Sequence, residues 1–210
     1  MFRFAAPVCY CFVVAITPTI AFSQTSSLQV RADGIAASHV PAVSKVLQAR
    51  ADGLRTASSG ATTATVEGNL VTLTFSGWSP APSLTSAAVT SKRTLRLVVE
   101  PSSDDILLTE SDVADARPGI RTTPELALRL NDSGMEKLRK RGKSLVGKIV
   151  SVYWDDVLIS RPKVNDELVR DVAITVPSQD VALLVATVLR AGPLPEGASQ
   201  VLTTGRVDSK

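Results

Sequence analysis

The chain has 210 residues, with 23 Lys and Arg against 20 Asp and Glu, so its formal net charge is +3. That small excess of cations does not predict a nucleic-acid-binding protein, because such proteins cluster many cations to displace condensed counterions. At 44% hydrophobic and 20% charged residues, the composition excludes a disordered chain and leaves enough apolar residues for one larger domain or two small ones.

The first 23 residues have the pattern of a signal peptide. Arg3 gives a positive start, and residues 8–16 form an unbroken apolar run that is too short to cross a bilayer. Small residues before position 24 predict cleavage between Ser23 and Gln24; the alternative is a buried N-terminal strand or helix. We therefore expect a periplasmic or secreted protein with no integral membrane segment after cleavage.

The residue types that carry most enzyme chemistry are scarce in the predicted mature chain. Cys9 and Cys11 both lie in the predicted signal peptide, so no disulfide, thiolate nucleophile or cysteine-ligated metal is expected after cleavage. His39 is the single histidine and has no partner at metal-ligand spacing. No nucleophile-elbow motif occurs either. The sequence thus predicts no catalytic, metal or cofactor site.

Residues 24–100 predict one α+β unit with the order β-α-β-β-α-β, the ferredoxin-like arrangement. Period-two alternation of apolar residues marks the strands, and apolar residues at steps of three and four mark the first helix. The dipeptide at positions 68–69 is typical of a hairpin turn. The predicted elements are strand 28–32, helix 40–54, strands 62–66 and 71–75, helix 84–90 and strand 95–99.

A polar linker at 101–105 is the candidate boundary to a second α+β unit with an antiparallel sheet, spanning 101–196. Thr109 and Asp112 predict a short capped helix that ends near Ala116, and Ser133 with Glu136 predicts a capping box for a second helix. Residues 197–210 are expected to be a disordered tail. The other elements are strands 126–130, 149–154, 157–160 and 172–176, and a last helix from 178 to 191.

The sequence contains one basic cluster and one pair of adjacent aspartates, and each has two interpretations. The densest basic patch could meet lipid headgroups or an acidic partner, or it could be an ordinary solvated helix face. Asp155 and Asp156 could form paired carboxylates, but their position between two strands favours a structural turn. The basic patch consists of Lys137, Arg139, Lys140, Arg141 and Lys143.

Four motifs in chain order resemble the first periplasmic domain of SecD, an accessory subunit of the bacterial protein-export machinery. LRAGPLP at 189–195 is similar to the LRAGALP end of that domain, and residues 146–164 resemble its GK-x-AIVLDG-x-VISAP-x-V hairpin. DSGMEKL at 132–138 and LLTESDVADA at 107–116 are similar to two further segments. The motifs cover 104–195, whereas the first half resembles the family's base subdomain only in outline.

The resemblance implies a SecD-head-like fold and a polypeptide-binding or export-accessory role. Tyr153 and Trp154 are then candidate contacts to unfolded polypeptide; the alternative is that one belongs to the core and the other to its rim. The partner would be unfolded polypeptide, or a translocon or other envelope protein. A structural or adaptor domain that binds a folded envelope partner is the alternative function.

The chain departs from the SecD pattern in two ways. Residues 167–171 replace a glycine-rich stretch before the last strand. The sequence also has no counterpart of SecD's transmembrane helices, whose charged residues carry proton-coupled transport in that family. We therefore expect no proton-transport capacity in this chain, and a free-standing copy of the domain that is exported whole.

Overall fold

The computed structural model describes residues 25–32, 35–55, 60–119, 122–195 and 202–207. The predicted signal peptide lies outside the described residues. No helix within the described ranges is long and apolar enough to cross a bilayer. The elements are β1 (Thr25–Ala32), α1 (Val40–Gly53), β2 (Ala61–Glu67), β3 (Leu70–Ser76), α2 (Pro82–Thr90), β4 (Leu95–Val99), β5 (Ile106–Thr109), β6 (Val113–Pro118), β7 (Glu125–Leu130), α3 (Asp132–Arg141), β8 (Val150–Trp154), β9 (Val157–Ser160), β10 (Asp171–Thr175), α4 (Gln179–Ala191) and β11 (Leu202–Val207).

The first sheet has the strand order β11-β1-β3-β2, and all neighbouring strands are antiparallel. Helix α1 covers one face, because its apolar residues recur at helical spacing and are fully buried against alternate residues of β1 and β3. Val43 and Leu47 from the helix and Leu73 and Phe75 from β3 lie in this core. The predicted helix and the predicted hairpin of β2 and β3 are confirmed.

The fourth strand of this sheet is not the one that the sequence suggested. Residues 95–99 do form a strand, but it pairs with β5 and β8 instead of β1. The position beside β1 is taken by β11, so the expected disordered tail is wrong for residues 202–207. Alternation identifies a strand but carries no information about its partner, and strand 95–99 therefore leaves the expected 24–100 unit.

Two further antiparallel sheets complete the α+β fold, with strand orders β10-β7-β6 and β5-β4-β8-β9. Their inward-facing residues join one hydrophobic core, which includes Leu97, Leu128, Val152 and Ile174. Helix α4 contributes Val185 to the same core and packs against β6 and β7 as well as against α1 and α2. The last helix therefore connects the two halves of the molecule.

Two helix starts differ from the predictions. Thr109 and Asp112 do cap a helix, but it is a single 3-10 turn over Glu110–Asp112, and β6 follows at once. Helix α3 is capped by Asn131, whose side chain accepts a hydrogen bond of 3.0 Å from the Gly134 N–H, so the predicted Ser133 cap is wrong. Both residue types cap helices well. The Ser133 hydroxyl instead donates to Asp112 over 3.1 Å.

A buried arginine joins three helices. Arg50 of α1 is fully buried, and its Nη1 donates to the carbonyl oxygens of Ala88 at 3.0 Å and Ser91 at 2.9 Å. Its Nη2 lies 3.4 Å from the carbonyl oxygen of Gly192, just after α4. Burial, and then repulsion from Arg93, lower the pKa of Arg50 to about 10. The guanidinium thus remains charged at neutral pH and neutralises helix C-termini.

Candidate functional site

The β8–β9 hairpin, which the sequence predicted, lies at one end of its sheet. Asp155 and Asp156 form its turn with φ angles of +47° and +68°. Two residues of positive φ give the turn a twist that matches the flanking strands, and aspartate tolerates this conformation better than most residues. The two aspartates therefore serve to form the turn, as the structural interpretation of this pair predicted.

The Asp155 carboxylate holds the loop that precedes β4. It accepts hydrogen bonds from the Ser91 hydroxyl at 2.6 Å, the Lys92 N–H at 3.1 Å and the Thr94 N–H at 2.9 Å. Asp156 instead forms an exposed ion pair of 2.7 Å with Arg96. The two carboxylates thus have separate partners and structural roles.

Tyr153 and Trp154 lie on opposite faces of β8. Trp154 is 6% exposed and packs into the core. Tyr153 is half-buried on the other face, where the Arg96 guanidinium carbon lies 5.4 Å from its ring centroid. Leu158 is opposite Tyr153 on β9. Only Tyr153 of the two candidate contacts therefore belongs to a surface that a ligand can reach.

A second group of hydrogen bonds fixes Arg161, the residue after β9. Arg161 donates two hydrogen bonds to the Glu100 carboxylate, at 2.6 and 2.8 Å, and the Ser151 hydroxyl donates a third at 2.5 Å. The hydrogen bonds from Arg161 and then Ser151 lower the pKa of Glu100, and Glu100 in turn raises the pKa of Arg161. The C-terminal end of β9 is therefore fixed against the end of β4.

Exposed apolar side chains concentrate beside this hairpin. Among the described residues, seven large apolar side chains are exposed, and only Val66 on β2 and Ile106 on β5 lie elsewhere. Val157 is 64% exposed and Val169 is 60% exposed. We call the other five the apolar edge: Val146, Ile149, Val157, Leu158 and Val169.

Val157 and Leu158 of the apolar edge lie on β9, the terminal strand of its sheet. Within the described residues the outer side of β9 pairs with no strand, although the Ser160 hydroxyl at its end donates a hydrogen bond of 2.5 Å to the Thr175 carbonyl oxygen of β10. Residues 162–164 continue alongside the chain that leads into β8, with hydrogen bonds from the Val150 N–H to the Pro162 carbonyl oxygen and from the Val164 N–H to the Lys148 carbonyl oxygen, both 2.9 Å. Terminal strands present main-chain donors and acceptors to an additional strand.

A groove of about 360 Å³ lies between the loop after β9 and β10, the terminal strand of the neighbouring sheet. Loop residues 162–169 form one wall, and residues 171–174 of β10 form the other. The floor beneath these walls is apolar and consists of Leu97, Val150 and Val152, which are at most 3% exposed, so the accessible apolar side chains of the groove are Leu168 and Val169. The groove thus lies where the terminal strands β9 and β10 of two sheets come near each other.

The predicted basic patch is largely neutralised by nearby carboxylates. Lys137 binds the buried Asp112 at 2.6 Å. Arg139 and Lys140 both pair with Glu136, at 3.1 and 3.7 Å, and Arg141 pairs with Asp105. Lys143 lies in the 3-10 turn after α3. This arrangement favours the solvated-face interpretation of the patch.

Sequence reasoning missed the groove and the apolar edge. The run Val157-Leu158-Ile159 gave a local signal, since an edge strand usually carries a charge, but its exposure depends on which strands lie beside it. Within the described ranges, no group of three or more metal-ligating side chains occurs.

Comparisons with known proteins match this architecture. The family model described as "SecDF, P1 head subdomain" matches residues 84–196, more than half of the chain. The crystal structure of SecDF in its super-membrane-facing form is similar, with a TM-score of 0.61 and 17% identity over 89% of this chain. The chain spans only 30% of that SecDF.

A second solved structure, from a study of a membrane component SecDF that enhances protein export, has a TM-score of 0.57 and 16% identity. This match covers 88% of the present chain and 100% of that chain. No curated protein matches the sequence. At these identities the structural likeness is a likeness of fold.

Proposed function

The chain belongs to the SecDF P1 head subdomain family, and on this premise we propose that it is a non-catalytic accessory domain of protein export that binds extended, unfolded polypeptide. The binding surface is the apolar edge together with the adjoining groove. SecDF, a structural relative, is described as a membrane component that enhances protein export. The domain acts in the periplasm, beside the translocon.

The observation that carries this proposal is the terminal strand β9 with its exposed Val157 and Leu158. An extended segment can pair with the main chain of such a strand, and apolar pockets beside the strand then receive alternate side chains. Main-chain pairing is independent of sequence, which suits a domain that must accept many unrelated polypeptides.

The dimensions of the site favour weak, reversible binding. β9 has four residues, so it offers few main-chain hydrogen bonds, each contributing about 0.5–1.5 kcal/mol. Ordering a flexible peptide offsets part of that gain. We expect dissociation constants on the order of 10 μM to 1 mM. A polypeptide in transit is released readily at such affinities.

Fluorescence anisotropy with a labelled, unfolded apolar peptide tests the proposal. The double variant Val157→Lys/Leu158→Lys places charges on the terminal strand and is expected to weaken binding at least about tenfold. The matched control, Val66→Lys/Ile106→Lys, changes the same number of exposed apolar side chains on two other terminal strands and should bind like the unmodified chain.

The result also separates polypeptide binding from an adaptor role. Equal peptide affinity in both double variants, or no binding of any peptide by the unmodified chain at millimolar concentration, contradicts the proposal. In that case the alternative predicts that a folded envelope protein is retained by the unmodified chain and lost on charge reversal at Lys140 and Lys143.

A further inference from the structure

Resting on the proposed function, we infer that the groove selects extended segments in which an apolar run is flanked by Lys or Arg. Asp166 and Glu167 line the groove in the loop between β9 and β10. Both side chains are exposed, and neither forms an ion pair within the described part of the chain. Two uncompensated carboxylates therefore lie beside an apolar floor.

The other charges around the groove do not cancel this pair. Asp171 is already opposed by Arg129, whose Nε lies 3.4 Å from its carboxylate. Lys163 also lines the groove, so its lining carries three carboxylates, those of Asp166, Glu167 and Asp171, against one lysine. Even with Lys163 counted and Asp171 paired, Asp166 and Glu167 leave the border of the groove net negative.

The accessible apolar residues and the carboxylates of the groove together define the ligand. Alternate side chains of a bound strand point to the same face, so an apolar run can place its side chains against Leu168 and Val169. A cation just beyond the run can then reach the loop carboxylates. A carboxylate at that position would instead meet like charge and lose affinity.

The expected size of this preference is modest. Exposed ion pairs contribute about 0.2–1 kcal/mol each, so two carboxylates should give an affinity ratio of roughly two to thirty between cation-flanked and anion-flanked peptides at low salt. The ratio should fall towards one near 1 M salt, where the Debye length is about 3 Å.

Three labelled peptides with one apolar core test the inference: one ends in two lysines, one in two glutamates and one in glycine and serine. We expect the affinity order Lys, then Gly-Ser, then Glu. Asp166→Asn/Glu167→Gln should make the three affinities equal, while Glu67→Gln/Asp180→Asn removes two exposed acids elsewhere and should preserve the order. Circular dichroism checks that both variants fold.

The possible results distinguish a failure of the charge preference from a failure of polypeptide binding itself. Equal, measurable affinities of the three peptides for the unmodified chain overturn the charge preference and leave polypeptide binding intact. A preserved order in Asp166→Asn/Glu167→Gln also overturns it, because the preference then comes from another part of the surface. If even the Gly-Ser peptide fails to bind, the proposed function fails and the inference fails with it.

Discussion

The Thr187 hydroxyl in α4 donates a hydrogen bond of 2.9 Å to the carbonyl oxygen of Gly53, the last residue of α1. The two helices approach so closely that a Cβ atom at position 53 would lie 2.6 Å from the Thr187 methyl group. Glycine is therefore required here by contact with a helix from the other half of the molecule.

We expect Gly53→Ala to destabilise the protein, although alanine is the better helix former. The overlap with Thr187 should lower the free energy of unfolding by about 1–3 kcal/mol. In a Thr187→Ser background the methyl group is gone and the hydroxyl remains, so the same substitution should lower it less. A double-mutant cycle in urea measures this coupling. Equal effects in both backgrounds would contradict the proposed overlap.

Arg50→Met should be strongly destabilising. Methionine fills much of the buried volume but donates no hydrogen bond, so the carbonyl oxygens of Ala88 and Ser91 lose a charged donor. Hydrogen bonds to charged groups are worth about 1.5–3 kcal/mol each, and we expect a loss of at least about 3 kcal/mol in urea unfolding. Arg31→Met, an exposed arginine on β1, is the control and should have little effect. A stable Arg50→Met protein would contradict the role assigned to the guanidinium.

Asp112 should make stability depend on pH. Burial alone would raise the pKa of its carboxyl group, but hydrogen bonds from Lys137, Thr109 and Ser133 outweigh burial and lower the pKa. A lowered pKa in the folded state means that the carboxylate stabilises the fold above its unfolded pKa of about 3.9. That contribution is lost as the pH falls through the lower, folded value.

Asp112→Asn should therefore be less stable than the unmodified chain at pH 7, by about 1–3 kcal/mol. The difference should shrink below about pH 4. Urea denaturation from pH 3 to pH 7 measures it, and Asp104→Asn, an exposed loop aspartate, provides the comparison. A stability difference that is constant across this range would show that the carboxylate's charge is not what matters.

Removing residues 197–210 should loosen the first sheet. β1 would lose its ladder with β11, and each lost main-chain hydrogen bond reduces stability by about 1 kcal/mol. Hydrogen exchange should accelerate at β1 amides and remain slow in β7, which belongs to another sheet. Unchanged protection in β1 would contradict this pairing.

Local patterns predicted most of the elements and few of their partners. Alternation identified β7 and β10, and helical spacing identified α1, because each pattern reports one buried face. The same reasoning could not decide that β4 pairs with β8, since strand pairing over 50 residues is a property of the whole fold.

The misassigned segments have physical reasons. Thr109 and Asp112 form a true cap, but only one turn follows it, because Val113–Pro118 can bury Ala116 as a strand against β7. Asn131 and Ser133 are both cap residues two positions apart, and packing decides between them. Alternation also could not show whether Tyr153 or Trp154 faces the core.

The candidate site depends even more on distant contacts. The apolar character of β9 is visible in the sequence, whereas the groove exists only because β10 and residues 162–164 border the same space. Asp166 and Glu167 become candidate ligand contacts only because they line that groove. Without it, Asp166 and Glu167 are ordinary loop residues.

The pairing of Ser27 with Val207 has a consequence for the timing of synthesis. The second residue leaves the ribosome 180 residues after the first, which takes on the order of ten to forty seconds at about 5–20 residues per second. During this interval β1 can pair with β3 on one side, but it has no neighbour on the other. The first sheet can thus be completed only after the last strand has been made, so its oldest strand waits longest for its second partner.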